Sequence, residues 1–157
     1  MPISYLSAAQ ISALSVTTLA PLSTTKVASL TSTQVGAISV TGIGALSVTQ
    51  VAALSASQVK GLKATQIAHF SSSVVFDTAQ LTALNASQVG GFSTSQLAAL
   101  DTTRIGALAG TQLAGLSATN FSSLTDTQVG ALSATQVKGL DTTRSRGSAP
   151  PTLTSST

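Results

Sequence analysis

Cysteine, glutamate and tryptophan are missing from this chain of 157 residues, and histidine, tyrosine and methionine occur once each. Without cysteine there is no disulfide framework and no thiolate metal site, and such a chain is compatible with the cytosol or the cell exterior. Charged residues make up 7% of the sequence and aromatics 3%. A catalytic site needs several titratable groups converging on one point, so this scarcity predicts a protein that is not an enzyme and holds neither cofactor nor metal. No apolar run approaches the roughly 20 residues that cross a bilayer, because Ser, Thr or Gln interrupts every few positions. The opening MPISYLSAAQ has no cationic segment of the kind that begins a signal peptide.

Seven Lys and Arg against four Asp give a net charge of +3. The excess reflects scarcity of charge rather than a cationic face, since the basic residues are scattered singly. Nucleic-acid binding requires clustered phosphate contacts, so no nucleic-acid partner is expected. What the chain has in quantity is Ser, 25 residues, and Thr, 24 residues, set among Leu, Val, Ile and Ala. A chain of this length allows one domain with a sizeable core, and that core must be aliphatic.

The chain is an array of eight-residue units. With Ser47-Val48-Thr49-Gln50-Val51-Ala52-Ala53-Leu54 as the register, eight octads run from Ser7 to Phe70 and eight more from Asp77 to Leu140. Between them lies Ser71-Ser72-Ser73-Val74-Val75-Phe76, two residues short of an octad. Position 5 of the sixteen octads is always Val, Ile, Leu or Phe, and position 8 is always Leu, Ile or Phe. Position 1 is Ser, Thr, Asp or Asn in fourteen octads, Lys63 and Ala109 being the exceptions, and position 4 is Gln in eleven.

A strand would put positions 5 and 8 on opposite faces. One continuous helix puts them about 60° apart, but the next position 5 then swings away by about 140°. Each octad must therefore start its own helix. Position 1 followed three residues later by Gln is a capping box: the cap side chain accepts from the N3 amide, and the Gln side chain reaches back to the cap amide. The pairs Ser47 and Gln50, Ser55 and Gln58, Ser93 and Gln96, and Ser133 and Gln136 are the clearest cases. Position 8 of one octad and position 5 of the next form the accompanying hydrophobic staple.

Helices of one and a half turns do not survive alone, because nucleation outweighs their few hydrogen bonds. The expectation is an all-α solenoid of very short capped helices, one per octad, with positions 5 and 8 lining its axis. The core is then exemplified by Val51, Leu54, Val59, Leu62, Leu97, Leu100, Val137 and Leu140. Position 7 is Ala, Gly or Ser except at Pro21 and His69, which predicts close backbone approach. Position 6 admits Lys60 and Lys138, which predicts an outward face. The six-residue unit at 71–76 reads as a seam, with His69, Phe70 and Phe76 filling the gap of the missing residues. The solenoid is expected to occupy 1–140, and 141–157 to be a broken last repeat followed by a Pro/Ser/Thr-rich tail, since Ser145 stands where position 5 should be apolar.

Motifs with chemical meaning dissolve into the repeat. Ser23-Thr24-Thr25-Lys26 has the Ser-x-x-Lys spacing of acyl-transferring enzymes, but it lacks their companion motifs and reads as a cap. His69 and Asp77 are too few for a metal site. Asp77, Asp101 and Asp141 are caps that complement a helix N-terminus. Gly42-Ile43-Gly44 lacks the strand and remaining glycine of a nucleotide loop. Asn85-Ala86-Ser87 and Asn120-Phe121-Ser122 are glycosylation sequons inside the octad register.

The units SATQVKGL, SVTQVAAL and DTTRIGAL resemble the Ser/Thr-x-x-Gln-hydrophobic octapeptide arrays of large secreted or surface-attached bacterial proteins of adhesin or haemagglutinin-like type. The resemblance covers residues 3–140. It implies an extracellular or cell-surface scaffold or stalk without an active site, although such arrays usually belong to far longer chains. Two functions are therefore expected: a self-assembling fibre subunit or adhesin stalk segment, or a module binding ice or glycan through a ladder of position 3 hydroxyls. End-to-end stacking into a homo-oligomer would use Ile3, Leu6, Val137 and Leu140, because the array begins mid-octad and its last octad is as apolar as any other.

Overall fold

The computed structural model describes residues 3–147, with 141–147 described by backbone alone. Each octad forms its own helix, and most open with the expected side-chain cap, Ser15, Lys63 and Ala109 being without one. Ser47 is extended (φ −72°, ψ 161°), its hydroxyl accepts from the Gln50 amide, and the helix runs over Val48–Ala52. Sixteen such α-helices, α1 to α16 in octad order, follow a single 3-10 turn at Ile3–Tyr5 among the described residues. All but the last are four to six residues long. The chain is an all-α solenoid with one helix per octad.

No described residue, glycine included, has positive φ. The helices therefore end without the left-handed glycine cap that commonly stops a helix. Glycine serves close approach instead. A Cβ on Gly115, at position 7 of octad 13, would lie 2.0 Å from the Ala86 carbonyl oxygen of octad 10, and one on Gly61 would lie equally close to the Ser32 carbonyl of octad 4. Main chain thus meets main chain between units three places apart. The same spacing pairs α1 (Ala8–Ser12) with α4 (Ser32–Ala37), and α10 (Ala86–Val89) with α13 (Gly110–Leu113).

A second contact joins units four places apart: the Gln50 side chain of octad 6 donates to the carbonyls of Leu19 and Leu22 in octad 2. One turn of the solenoid therefore takes between three and four units. These are the spacings of neighbours along an α-helix surface, here on the scale of whole repeats. Position 5 faces the axis and is at most 1% exposed in every octad from Ile11 to Leu113, while most position 8 residues are buried around it.

Three expectations need correction. Val137 is not core: it is 45% exposed and Val129 is 41% exposed, because no described unit lies three or four places further on to cover them. Asp141 does not cap a new helix either, since α16 runs through it over Ala134–Gly147. The sequence offers no complete new octad there, because Ser145 stands where position 5 should be apolar. The expected tail beyond 147 lies outside the described residues, as do Met1 and Pro2. Finally, His69 does not fill the seam. It is exposed, and its Nδ1 lies 2.7 Å from the Thr65 carbonyl.

The seam is filled by phenylalanines together with the buried Val74. The Phe76 ring packs edge-to-face against Phe70 at 5.5 Å and against Phe92 at 5.6 Å. Segment 71–76 contains no helix, yet it occupies the place of a whole unit. Gln80 of octad 9 reaches Val51 and Leu54 of octad 6, three octads and the short segment away.

Two comparisons check this architecture. Replacing Gly115 with Ala should destabilise the protein by about 1–3 kcal/mol, because backbone cannot move aside for a methyl group. Gly130→Ala should be neutral or stabilising by up to about 1 kcal/mol, because a Cβ there meets nothing within 4 Å. Leu54→Asp should likewise lower the melting temperature far more than Ala52→Lys, since Leu54 is 3% exposed and Ala52 faces solvent. Denaturant or thermal unfolding of each pair is the measurement.

Candidate functional site: a glutamine ladder between coils

The polar machinery of the chain is concentrated at position 4. In octad 8, Gln66 is 1% exposed and uses both ends of its amide. Its Oε1 accepts from the Lys63 backbone N–H at 2.7 Å, and its Nε2 donates to the carbonyls of Val35 at 3.1 Å and Ile38 at 2.7 Å. Those carbonyls stand at positions 5 and 8 of octad 4, where a short helix ends. A helix leaves its first N–H groups and last C=O groups without internal partners. One glutamine therefore satisfies the start of its own helix and the end of the helix four units earlier.

The expected capping pairs are all in place. Gln50, Gln58, Gln96 and Gln136 accept from the backbone N–H of Ser47, Ser55, Ser93 and Ser133 at 2.7, 2.8, 2.8 and 2.7 Å. The four serine hydroxyls accept in return from the glutamine backbone N–H groups at 3.2, 3.2, 3.2 and 3.3 Å. Each of these glutamines also donates to the unit four places earlier: Gln58 to Val27 and Leu30, Gln96 to Ile67 and Phe70, Gln136 to Gly106 and Leu108. At Lys63 and Ala109, whose side chains cannot accept, the glutamine half of the box stands alone. Among the expected core residues, Val51, Leu54, Val59, Leu62, Leu97, Leu100 and Leu140 are buried.

The capping box anticipated half of this arrangement and missed the donor half. A signal was present in the composition. A capping box accepts Glu as readily as Gln, yet this chain has no glutamate, and every one of its eleven glutamines stands at position 4. An amide accepts at one end and donates at the other, which an ionised carboxylate cannot do. Departures from Gln meet the site in different ways. Asn120 donates to the Phe92 carbonyl at 2.6 Å, and at Gly42 the place of a side chain is taken by Leu19, whose Cδ1 lies 2.5 Å from where a Cβ would stand. No buried side-chain nitrogen or oxygen lacks a partner among the described residues.

The remaining motifs are structural where they stand. Ser23 caps α3 (Thr24–Ala28) by accepting from the Lys26 amide, and Asp77 caps α9 (Thr78–Ala83) by accepting from the Gln80 amide at 2.8 Å. Asn85 caps α10, while the Asn120 side-chain amide is engaged with Phe92. Among the described residues no group of three or more His, Asp or Glu comes together. Two open grooves stand out among the described residues. One, of about 450 Å³, is lined mainly by small residues such as Ala8, Gly36 and Gly61 with Lys63 at its edge. The other, of about 190 Å³, lies among Ile3, Leu6, Leu14 and Leu22.

Position 3 faces solvent in all sixteen octads, and fourteen of these residues are Thr or Ser. Two hydroxyls, those of Thr17 and Thr49, lie within hydrogen-bond distance of the hydroxyl of their own cap serine. Successive octads point in different directions around the axis, so these hydroxyls surround the solenoid.

Residues 74–110 match the family model of the ALTTAQ repeat. The match begins inside the short segment at Val74 and runs through octads 9 to 12, less than a quarter of the chain. It supports a repeat-type structural protein. Neither the curated proteins nor the solved structures compared with the chain gave a match. Among the described residues no helix is long and apolar enough to cross a membrane.

The two roles of glutamine can be separated by experiment. Gln66→Glu keeps the acceptor but places a carboxylate against two carbonyls in a site 1% exposed, and should destabilise by several kcal/mol at pH 7. The loss should shrink at low pH, where the neutral acid regains one O–H donor. Gln10→Glu should be nearly neutral, because Gln10 is exposed and its Oε1 only accepts from the Ser7 N–H. Unfolding curves of the two variants at pH 7 and pH 3 would show this contrast.

Proposed function

We propose that this chain is an extracellular structural repeat protein, acting as a self-assembling fibre subunit or an adhesin stalk segment, and that it performs no catalysis. The observation that carries this reading is the commitment of its buried polar groups: ten glutamines are buried, and those that bond between coils serve the stack itself. A fold whose polar interior is given over to joining one coil to the next is a means of building length. The joint uses neutral amides and backbone, so it repeats without like charges accumulating along the axis. Resemblance to secreted octapeptide arrays supports the extracellular assignment, and the ALTTAQ match supports the repeat-type structural role.

End-to-end stacking of the 157-residue polypeptide is part of this reading. Ile3 and Leu140 are each 8% exposed, so they belong to the core of the molecule and are poor choices for an outer contact. Leu6 is half-buried at one end, and Val129 and Val137 stand out at the other. A head-to-tail contact of unlike surfaces propagates unless its rotation closes a ring.

A second reading has its own support. Exposure of position 3 throughout the array leaves its threonines available to a hydroxyl-rich surface such as ice or polysaccharide. Their distribution around the axis favours a ligand that wraps or lies against one limited strip over a broad flat lattice.

Sedimentation velocity and negative-stain electron microscopy separate the two. A fibre subunit should give rods or filaments that lengthen with concentration, and Val129→Asp with Val137→Asp should return it to a helical monomer. A protein that stays monomeric at high concentration removes the fibre reading. Co-sedimentation with insoluble polysaccharide or inhibition of ice recrystallisation, abolished by replacing position 3 threonines with bulky residues, would then support the surface-binding one.

A further inference from the structure

Four units after the short segment, position 4 departs from glutamine. Octad 12 begins at Asp101 and carries Arg104 there, and the unit four places earlier is 71–76. Arg104 Nε donates to the Phe76 carbonyl at 3.0 Å, the same position 8 carbonyl that a glutamine would choose. Its guanidinium also pairs with the Asp101 carboxylate, whose other oxygen caps the Arg104 amide at 2.8 Å.

The shape of the unit beneath explains the exchange. A regular octad is helical over positions 2 to 5, and this brings the carbonyls of positions 5 and 8 to one amide, as Val35 and Ile38 meet Gln66. Segment 71–76 has no helix and is held by a turn in which the Val74 N–H donates to the Ser71 carbonyl at 2.9 Å. Arg104 takes its terminal carbonyl alone. A glutamine above the segment would make one such bond in place of the two that Gln66 makes, and would lose the pairing with Asp101. Arginine reaches the single carbonyl with Nε and directs its remaining N–H groups towards the edge, where Asp101 is 53% exposed.

The same tetrapeptide recurs where no such segment lies beneath. Asp141-Thr142-Thr143-Arg144 would open another octad, and the unit four places earlier is the helical octad 13. There the backbone forms no cap but continues α16 to Gly147.

We infer that the position 4 side chain is matched to the shape of the unit four places before it, an amide over helical octads (glutamine, or Asn120 over octad 10, with Gly42 over octad 1 the exception) and arginine over the six-residue segment, and that Arg104 lets a segment two residues short act as a full unit of the stack.

The test is a cycle of four proteins followed by thermal unfolding: the native chain, Arg104→Gln, a chain in which 71–76 is rewritten as the octad Ser-Ser-Thr-Gln-Val-Val-Ala-Phe, and that rewritten chain carrying Arg104→Gln. In the native chain Arg104→Gln should lower the melting temperature by roughly 2–6 °C. In the rewritten chain the same substitution should leave it unchanged or raise it. An equal fall in both chains overturns the inference. Should circular dichroism show that the rewritten chain does not fold, Arg104→Gln is compared with Arg104→Ala in the native chain. A glutamine no better than alanine agrees with the inference, and a glutamine more stable than alanine overturns it.

Discussion

A helix of four to six residues is nearly all ends. In a long helix the unpaired N–H and C=O groups are a small share of the backbone, whereas here they are most of it. Any chain built from such helices must find partners for both termini of every unit, and water cannot provide them inside a stack. The buried position 4 glutamines meet this constraint with a single side chain, accepting from the start of one helix and donating to the end of another. The rest of the architecture follows. The donor must reach a helix end in a different coil, so units four places apart come into register, and the backbones between them must approach closely enough to need glycine, as Gly61 does against Ser32. Position 5 is then sealed on the axis.

This constraint was partly legible in the residues. The eight-residue period, the caps, the axial positions 5 and 8 and the small residues at position 7 all follow from local chemistry, because each is decided within one octad or between successive ones. The ladder is decided between residues 26 to 31 apart, such as Gln80 with Leu54 and Gln66 with Val35, and no local pattern reports which coil lies below which. The exclusion of glutamate was the available trace of it, since a capping box alone gives no reason to refuse a carboxylate. Val137 escaped for a different reason. Its own octad is indistinguishable from an interior one, and its exposure depends on what lies further along the stack. The seam was readable as a seam from its phenylalanines, whereas the outward His69 was not, because position 7 faces the neighbouring coil in most octads but not in all.

The spacing of these contacts also sets how the fold is stabilised. In many repeat proteins each unit leans on the next in sequence, and stability accumulates step by step. Here the main-chain approach joins units three places apart and the glutamine bonds join units four places apart. Adjacent octads share a staple, but the ladder begins only when a full turn has been laid down. The first such bonds run from Gln34 of octad 4 to Ser4 and Leu6 at the beginning of the described chain. Loop closure over some thirty residues must precede the first rung, whereas each later octad adds only its own eight residues to a coil already closed. The early coil carries the unfavourable step for all the others, and the stack is cooperative despite the small size of its units.

What remains for contact with anything else is the outer surface, and its composition follows from the inner one. Positions 4, 5 and 8 are committed to the axis and the ladder, and position 7 to backbone approach, leaving positions 1, 2, 3 and 6 towards solvent. Position 1 must cap, which selects Ser, Thr, Asn and Asp. Positions 2 and 6 lie on a helix too short to support long ion-paired side chains, and they hold mainly small or aliphatic residues. Position 3 is the one outward site that neither capping nor packing specifies, and it is there that threonine recurs, eleven times in sixteen octads. Helix propensity does not favour threonine at such a site, and in most octads its hydroxyl is not engaged by the cap. The recurrence is therefore a property of the surface rather than of the fold. It gives a protein with 7% charged residues a hydrated exterior made of hydroxyls, without the charge that would hold copies of it apart.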